Sequence, residues 1–561
     1  MTEEDDATKY AERADFLEGD ELYGWTVDHE YFRSIQRKII QSGAKLLVGP
    51  RGSGKTHHFR YAHLSCKDNK SGPLTVYVSF TRYYNLEPYL RDSREALQIF
   101  HSWVLAKILI AVHEDFPDSY LTASEDQPAL NPGSLREFIA EAERGADPSV
   151  MNKAHRSLSI SQVTALLETI MVNQRRRRVV LMLDDAALVL TPEYMVEFFD
   201  IFRSLKTLKI SPKASVYPGT TEYGPRFHAD HDAEKVQAWL NVNDEKYGVF
   251  MERIARDRLG LTGDLLGADV SKLLAYAAFG IPRAFITMCR QFIDEQSQSV
   301  QQQFNKVING HVGFRKSEYF SLADKTPQYR DIIRVGWDVF EGMVEEAKRH
   351  TEESIPERKA TIIGLVKNDD QKRERMIRFL VEAGLLYELP PVSHGPDRDY
   401  GRFMPHYGFL IDRRAFVKGR GWSPAKIISG IEAPEKKHPI RRKMESILDA
   451  DALRRIELNL PACKDCGTER ISDHQSYCHN CGARLIDPSI FEECMKIPVD
   501  ELPITEKQKE RIKSQTDIRT LGDIVSSADP ASELRKARHI GEKRANKIYR
   551  LAKSVEEEFF S

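Results

Sequence analysis

The sequence predicts a multi-domain α/β protein: a parallel sheet carrying a phosphate loop, then a helical segment, a winged helix, a cysteine ribbon and a small all-α tail. Three observations carry this reading. Apolar strands alternate with helical patterns from about residue 29 to 242, as in a parallel sheet with crossover helices. Gly49-Pro50-Arg51-Gly52-Ser53-Gly54-Lys55-Thr56 matches G-x-x-x-x-G-K-[ST] between a strand and a helical pattern. Two Cys-x-x-Cys pairs fall within residues 463–481.

Composition bounds the rest. At roughly 150 residues per domain, 561 residues allow about four domains. Hydrophobic residues make up 41% and charged residues 30%, enough apolar material for real cores. Lys plus Arg is 82 and Asp plus Glu 84, a net charge of −2, which excludes a uniformly basic, histone-like chain. Local basic faces remain compatible with that balance, because charge acts over a Debye length of about 8–10 Å. The opening MTEEDDATKYAERADFLEGDE is acidic and lacks the apolar run of a secretory signal. No run approaches the ~18 apolar residues of a membrane span; Trp103 to Val112 comes nearest and carries Lys107. A cytoplasmic protein is expected. Of seven cysteines, Cys66, Cys289 and Cys494 are scattered, which suits one metal site in a reducing compartment rather than a disulfide framework. No repeat at 20–50 residues is visible, which argues against a solenoid or propeller.

Taken in order, residues 1–28 read as a polar lead-in. Residues 29–242 hold five predicted strands, at 44–49, 74–80, 178–184, 214–219 and, more weakly, 235–240. Helices are predicted over 86–115, 160–174 and 192–206, the last capped by Thr191 with Pro192 in its first turn. Residues 117–158 read as a loop-rich insertion. Residues 243–318 are helical, and 319–420 run from helices into aromatic, turn-rich sequence. Residues 421–460 look like a linker holding the basic stretch KKHPIRRK (436–443), 461–488 contain the cysteine pairs, and 495–561 form a helical tail.

The phosphate loop predicts the chemistry. Its glycines let backbone N–H groups turn toward phosphates at the positive end of a helix. Lys55 reaches the β- and γ-phosphates and the Thr56 hydroxyl holds Mg²⁺. VVLMLDD supplies a matching acid: Asp184 ends a wholly apolar strand where α/β sheets bind ligands, and Asp185 follows in the place of a base or water-orienting group. After the fourth strand, Thr220 or Thr221 in PGTTEYG suits a γ-phosphate sensor, although Thr after Gly is also ordinary turn chemistry. Arg283, at a helix start after Gly280-Ile281-Pro282, can reach back to a nucleotide or stand as a surface arginine. His228, Asp230, His231 and Asp232 cluster without metal-ligand spacing and read as a polar loop. Arg175 to Arg178 precede the strand that ends in Asp184, at the wrong end of the sheet for nucleotide chemistry, and read as a solvated helix end rather than a contact patch.

GPRGSGKT, LMLDD, PGTTEYG and GIPR, followed by a winged-helix pattern, resemble the AAA+ ATPases of the origin-recognition-complex and initiator clade, and their STAND relatives among signalling NTPases, over roughly residues 20–420. The resemblance implies an AAA+ base at 29–242, a lid at 243–318 and a winged helix at 319–420, with ATP and Mg²⁺ as ligands. It implies Walker A roles for Lys55 and Thr56, the Walker B metal role for Asp184, sensor 1 for Thr220 or Thr221 and sensor 2 for Arg283. Asp185 stands where the family often has Glu and is one methylene shorter, so ATP binding is implied more directly than fast hydrolysis. Arg226, or Arg203, is implied as an arginine finger acting in trans within a homo-oligomer formed on ATP binding.

In residues 358–389, Ala360, Ile362, Ile363 and Val366 predict one short helical face. Asn368-Asp369-Asp370 predicts a turn and cap, and Met376, Ile377, Leu380, Val381 and Leu385 the buried stripe of a second helix. A hairpin wing follows. The second helix of such a unit docks in the major groove, where Lys372, Arg373, Arg375 and Arg378 would meet DNA, with Arg398 and Arg402 in the wing. Protein packing by the wing is the competing reading. Cys463, Cys466, Cys478 and Cys481 form C-x2-C-x11-C-x2-C, two knuckles whose thiolates close a structural Zn²⁺ shell, against the alternatives of a redox pair or an iron centre. The tail segment 533–548 is similar to a helix-hairpin-helix, most closely the form in the C-terminal domain of the RNA polymerase alpha subunit. Its Ile540-Gly541 hairpin, with Arg538, Lys543 and Arg544, suits a DNA phosphate, and His539 replaces the usual first hairpin glycine. From Glu533 to Lys553 eight Lys or Arg stand against two acids; a protein-docking helical domain is the alternative.

Two functions fit. The first is an ATPase that binds DNA under nucleotide control, in a replication, mobile-element or antiphage setting. The second is a STAND-like switch whose C-terminal modules bind a protein. A processive helicase lacks its second motor domain here.

Overall fold

Five strands form a parallel sheet: β1 Lys45–Val48, β2 Leu74–Ser79, β3 Val179–Asp184, β4 Ile210–Val216 and β5 Glu234–Gln237, in the order β2-β3-β4-β1-β5. The computed structural model describes residue 17 and residues 19–560, apart from 81–82, 93–94, 150, 152–154, 186–191, 222, 261–265, 296, 354–357, 368–369, 394–398, 420, 422, 455, 457–459, 472–474, 476, 484, 486–489 and 528. The Asn368-Asp369 part of the predicted turn, Arg398, the Thr191 cap and most of the 1–28 lead-in lie outside the described residues.

β1, β3 and β4 are buried along their whole length, which is why they read as continuous apolar runs. The register pairs Leu46 with Ala214 and Val179 with Ile210, so β4 lies between the phosphate-loop strand and the strand ending in Asp184. Three strand ends therefore converge at one edge of the sheet. β4 spans Ile210–Val216 rather than 214–219: Pro212 and Lys213 mask its first half, and the Lys213 ammonium is satisfied by the Gln41 carbonyl at 2.7 Å and by that of Gly43. β5 is an exposed edge strand and ends at Gln237.

The helix expected over 86–115 is a long helix, Ala96–Asp115, preceded by a short one, Tyr89–Asp92. Among the described residues it is the one helix long and apolar enough to cross a membrane. Trp103, Ile108 and Leu109 are completely buried in the α/β core, which accounts for its all-round apolarity. The supposedly loop-rich insertion contains helices Pro117–Ser124 and Pro132–Glu143. Asn131 caps the second, with Pro132 in the first turn, and Leu135, Phe138 and Ala142 share its buried face. The helices predicted at 160–174 and 192–206 are Ile160–Asn173, with a Ser159–Gln162 capping box, and Pro192–Ser204.

Helix Val300–Lys325 runs through residue 318, so the helical segment and the unit after it share one rod. The second sheet has the order β7-β8-β6-β9, with β6 Ile363–Val366, β7 Leu386–Ser393, β8 Asp399–Pro405 and β9 Ile440–Arg442. The short helical face expected at 360–366 is thus corrected to strand β6, since so short an apolar run fits either state. Helix Gln371–Glu382 and the β7–β8 hairpin follow as predicted. The expected linker is structured: helix Pro424–Glu432 is followed by β9, which pairs parallel to β6. The tail is all-α, with helices Glu506–Gln515, Leu521–Val525, Pro530–Arg535 and Glu542–Phe560 around Ile512, Leu521, Ile524, Leu534 and Ile548.

Candidate functional site

The phosphate loop joins β1 to helix Lys55–Asp68, which starts at the loop's lysine. Gly52 and Gly54 hold φ of 78° and 92°, left-handed values that a side chain would strain, so the loop curls back on itself. The Lys55 ammonium is buried inside that curl. It donates to the Gly49 carbonyl at 2.7 Å and the Pro50 carbonyl at 3.2 Å and lies 4.1 Å from the centre of the Tyr217 ring. Burial lowers its pKa to about 8, while Asp185 and Asp184 favour its charge. Lysine and both strand-end acids therefore share one electrostatic site, as the motif pair requires.

Asp184 is completely buried and its Oδ2 accepts from the Tyr77 hydroxyl at 3.1 Å. Asp185 turns the chain at φ 54°, and its N–H donates to Ser215 Oγ at 3.0 Å. Beyond β4, the two sensor candidates separate. The Thr221 hydroxyl is engaged with the Tyr217 carbonyl at 2.8 Å, whereas the Thr220 hydroxyl is buried and lies against the Glu382 carboxyl. Arg283 opens helix Pro282–Asp294 against the loop: its N–H donates to the Gly52 carbonyl at 3.4 Å, and a Cβ at Gly52 would stand 3.1 Å from its own Cβ. Arg226 lies apart, exposed and paired with Asp200 at 3.3 Å.

Sequence reasoning missed one part of the site. Helix Gln371–Glu382 ends at the phosphate loop, where Glu382 approaches Thr220, Arg51 and Lys325. Burial pushes the Glu382 carboxyl up to about 7, against the opposing pull of the Thr220 hydroxyl and the cations around it, and its Oε2 is sealed from solvent. Only a pattern linking residue 220 to 382 would reveal this, and no local spacing contains one.

The basic residues of that helix are engaged within the chain. Lys372 donates to the Ile456 carbonyl at 3.3 Å, and Arg373 pairs with Asp370 at 3.3 Å and with Glu445. Arg375 stacks 4.8 Å from the centre of the Tyr329 ring, and Arg378 pairs with Glu374. Two of the four consecutive arginines fasten the sheet's lower end, Arg176 through the Cys66, Asn69 and Gly72 carbonyls and Arg178 through that of Ile40. The His228–Asp232 segment is a polar turn, with the His228 N–H donating to Asp232 at 2.7 Å and Asp230 paired with Lys235 at 2.8 Å.

The sulfurs of Cys463, Cys466, Cys478 and Cys481 lie within 4.8 Å of one another; among the described residues no other group of His, Cys, Asp or Glu converges in this way. Cys463 and Cys481 are 3.5 Å apart and Cys466 and Cys478 3.6 Å, near the ~3.8 Å edge that Zn–S bonds of about 2.3 Å give a tetrahedron. The knuckles match each other: Gly467 and Gly482 take φ of 70° and 74°, and their N–H groups donate to the Cys463 and Cys478 carbonyls at 2.8 and 2.9 Å. In the tail hairpin, His539 takes the left-handed place, φ 66°, with its carbonyl accepting from Arg544 at 2.8 Å. Nothing crowds Gly541, Arg538 donates its N–H to Gln515 at 2.7 Å, and Lys543 lies in the first turn of helix Glu542–Phe560.

No protein-family model and no curated protein matches the chain. Among solved structures it is similar to the Walker-type ATPase PABY2304 of Pyrococcus abyssi, with TM-score 0.38 and 12% identity over 72% of this chain and 99% of that one. It is also similar to the Aeropyrum pernix ORC1 protein in complex with DNA, with TM-score 0.31 and 13% identity over 71% and 94% of the two chains. For Drosophila ORC bound to DNA the values are 0.28 and 13%, over 72% and 95%. Values this low leave fold and function resting on the geometry above.

Proposed function

We propose that the chain is an ATP-binding AAA+ ATPase of the initiator-like kind that holds DNA under nucleotide control in the cytoplasm. The observation that carries this is the convergence of Lys55, Asp184, Asp185 and Arg283 on one phosphate loop, with Thr220 against Glu382 next to Arg51 and Lys55. Thr56 and Asp184 suit Mg²⁺, which would offset phosphate charge there. Lys55 and the loop N–H groups bind and orient the phosphates, Thr220 reads the terminal one, and Asp185 orients water with a reach one methylene shorter than glutamate's. Arg226, exposed on the surface, is available to a neighbouring copy.

DNA contact rests on the tail hairpin with Arg538, Gly541, Lys543 and Arg544, and on the ribbon. With Mg²⁺ and ATP, duplex DNA binding is expected to weaken steeply between about 50 and 200 mM salt, and truncation near residue 490 to flatten that dependence. Salt-insensitive binding, or none with or without ATP, rejects the DNA role. A second reading, a nucleotide switch whose C-terminal modules bind protein, is favoured by one observation: the basic groups of helix Gln371–Glu382 are engaged inside the chain.

The four cysteines fit Zn²⁺ by donor set and spacing. Metal analysis of the purified protein is expected to find a single zinc per chain and Cys478→Ser to abolish it, with the ribbon becoming protease-sensitive while ATP still binds. Retention of zinc by that variant would exclude the four-thiolate shell.

A further inference from the structure

The winged-helix unit does not stand clear of the phosphate site. Its helix Gln371–Glu382 is seated so closely that a Cβ at Gly219 would stand 2.6 Å from the Arg378 carbonyl oxygen. At the turn after the helix, a Cβ at Gly384 would lie 3.5 Å from Pro50 Cβ and 3.4 Å from Ile281 Cδ1. One seat thus touches the turn after β4, the phosphate loop and the start of the Arg283 helix. Glu382 ends the seated helix, and its Oε2 faces inward, shielded from water. The charged groups around it come from every element of the seat: Arg51 and Lys55 from the loop, and Lys325 from the end of helix Val300–Lys325, with the Thr220 hydroxyl beside it. Behind these stand Asp184, Asp185 and Arg283, which face Lys55, and Glu318 and Tyr217, which face Arg51.

We propose that Glu382 is a triphosphate-discriminating residue: the seated winged helix presents a carboxyl to the place beside Thr220 and Lys55 that a terminal phosphate occupies, so a triphosphate is admitted with Glu382 protonated, whereas a diphosphate is indifferent to its charge. The inference rests on the nucleotide reading above and adds to it how the site ranks nucleotides. A carboxylate and a phosphate cannot share a water-poor site without one taking a proton, because like charges there repel strongly. A carboxyl pushed to about 7 takes that proton near neutral pH. Triphosphate binding raises it further, so above about pH 7 binding takes up one proton from solvent. Below about pH 7 Glu382 is already protonated and affinity is level; above it, triphosphate affinity falls by up to tenfold per pH unit.

The test titrates the full chain, with Mg²⁺, with fluorescent ATP and ADP analogues between about pH 6 and 8. The wild-type ratio of ATP to ADP affinity is expected to fall with rising pH from about 7. Glu382→Gln, which keeps shape but cannot ionise, is expected to flatten that fall and to raise the ratio about tenfold at pH 8. The nucleotide's own terminal phosphate titrates near about pH 6 and contributes equally to both proteins. Loss of the Lys55 charge, above about pH 8, acts on both nucleotides. Glu382→Ala, lacking charge and amide alike, is expected to behave as the glutamine variant does and guards against a folding defect in either. Equal pH dependence of the ratio in all three proteins overturns the proposal while leaving nucleotide binding intact. Failure of both nucleotides to bind wild type overturns the nucleotide reading itself.

Discussion

Lys55→Ala is expected to weaken ATP and ADP binding by at least about 100-fold while leaving the protein folded. Charge-assisted hydrogen bonds contribute about 1.5–3 kcal/mol each, and a phosphate-loop lysine makes them to two phosphates. The expected loss follows from about 3 kcal/mol or more. Folding survives for a separate reason. Burial holds the Lys55 pKa at about 8, below the ordinary 10.5, so the native state disfavours this charge rather than depending on it. The substitution leaves the Gly49 and Pro50 carbonyls without that donor, a cost of about 1–3 kcal/mol. The same displacement fixes the pH behaviour of wild type. Between about 8 and 10.5 the unfolded chain keeps a proton that the native chain has released, so stability rises with pH in that window. Nucleotide affinity moves the other way, falling as the ammonium is lost. Isothermal titration of wild type and variant at about pH 7 and 9, with melting curves alongside, checks both signs. A variant that binds ATP as wild type does would remove the phosphate loop from the site.

The phosphate loop and the Asp184 strand are legible in the sequence because each is local. The loop's glycines and lysine fall within eight residues, Gly49 to Thr56, and a strand buried on both faces spells a continuous apolar run. The cysteine knuckles are legible for the same reason. Local pattern misleads where one run suits two states, as at Ile363–Val366, or where a buried strand contains Pro212 and Lys213. It gives no sign of contacts between distant parts of the chain. Thr220 and Thr221 are equal in sequence; the Tyr217 carbonyl, held at the strand end, separates them. Helix Gln371–Glu382 is correctly read as an amphipathic helix with basic residues, yet its apolar stripe says nothing of the acid at its end. Glu382 comes to lie beside Arg51 and Lys55 because helix Arg330–Glu353 and strand β7 pack against helix Gln371–Glu382 and fix where it ends, and that placement is tertiary.

Gly280→Ala is expected to produce the largest loss of stability among simple substitutions near the site, about 3–5 kcal/mol. Gly280 takes φ 80°, and a Cβ there would stand 2.1 Å from the Leu240 carbonyl oxygen and 3.1 Å from Trp239 Cδ1. Backbone cannot give way as a flexible side chain does, so overlap adds to the conformational cost. Phe279 is also left-handed, φ 54°, and the pair makes the sharp turn that aims Arg283 at Gly52. The turn is fastened at three points: Trp239 Nε1–H donates to the Phe279 carbonyl at 2.7 Å, the Gly280 N–H donates to the Tyr247 hydroxyl at 3.1 Å, and that hydroxyl donates to the Ala275 carbonyl at 2.5 Å. Gly43→Ala is the control. Gly43 has φ 84° but open space around it, so it carries conformational strain alone, about 1–2 kcal/mol. The difference between the two variants isolates the close approach from the backbone angle. Because a chain of 561 residues is long for a single two-state transition, calorimetry that resolves separate transitions is the suitable measurement. In any Gly280→Ala protein that remains folded, nucleotide affinity is expected to fall as well, since Arg283 can no longer lie against the loop. Equal melting of the two alanine variants would mean that Leu240 does not confine this turn and that Arg283 is positioned by something else.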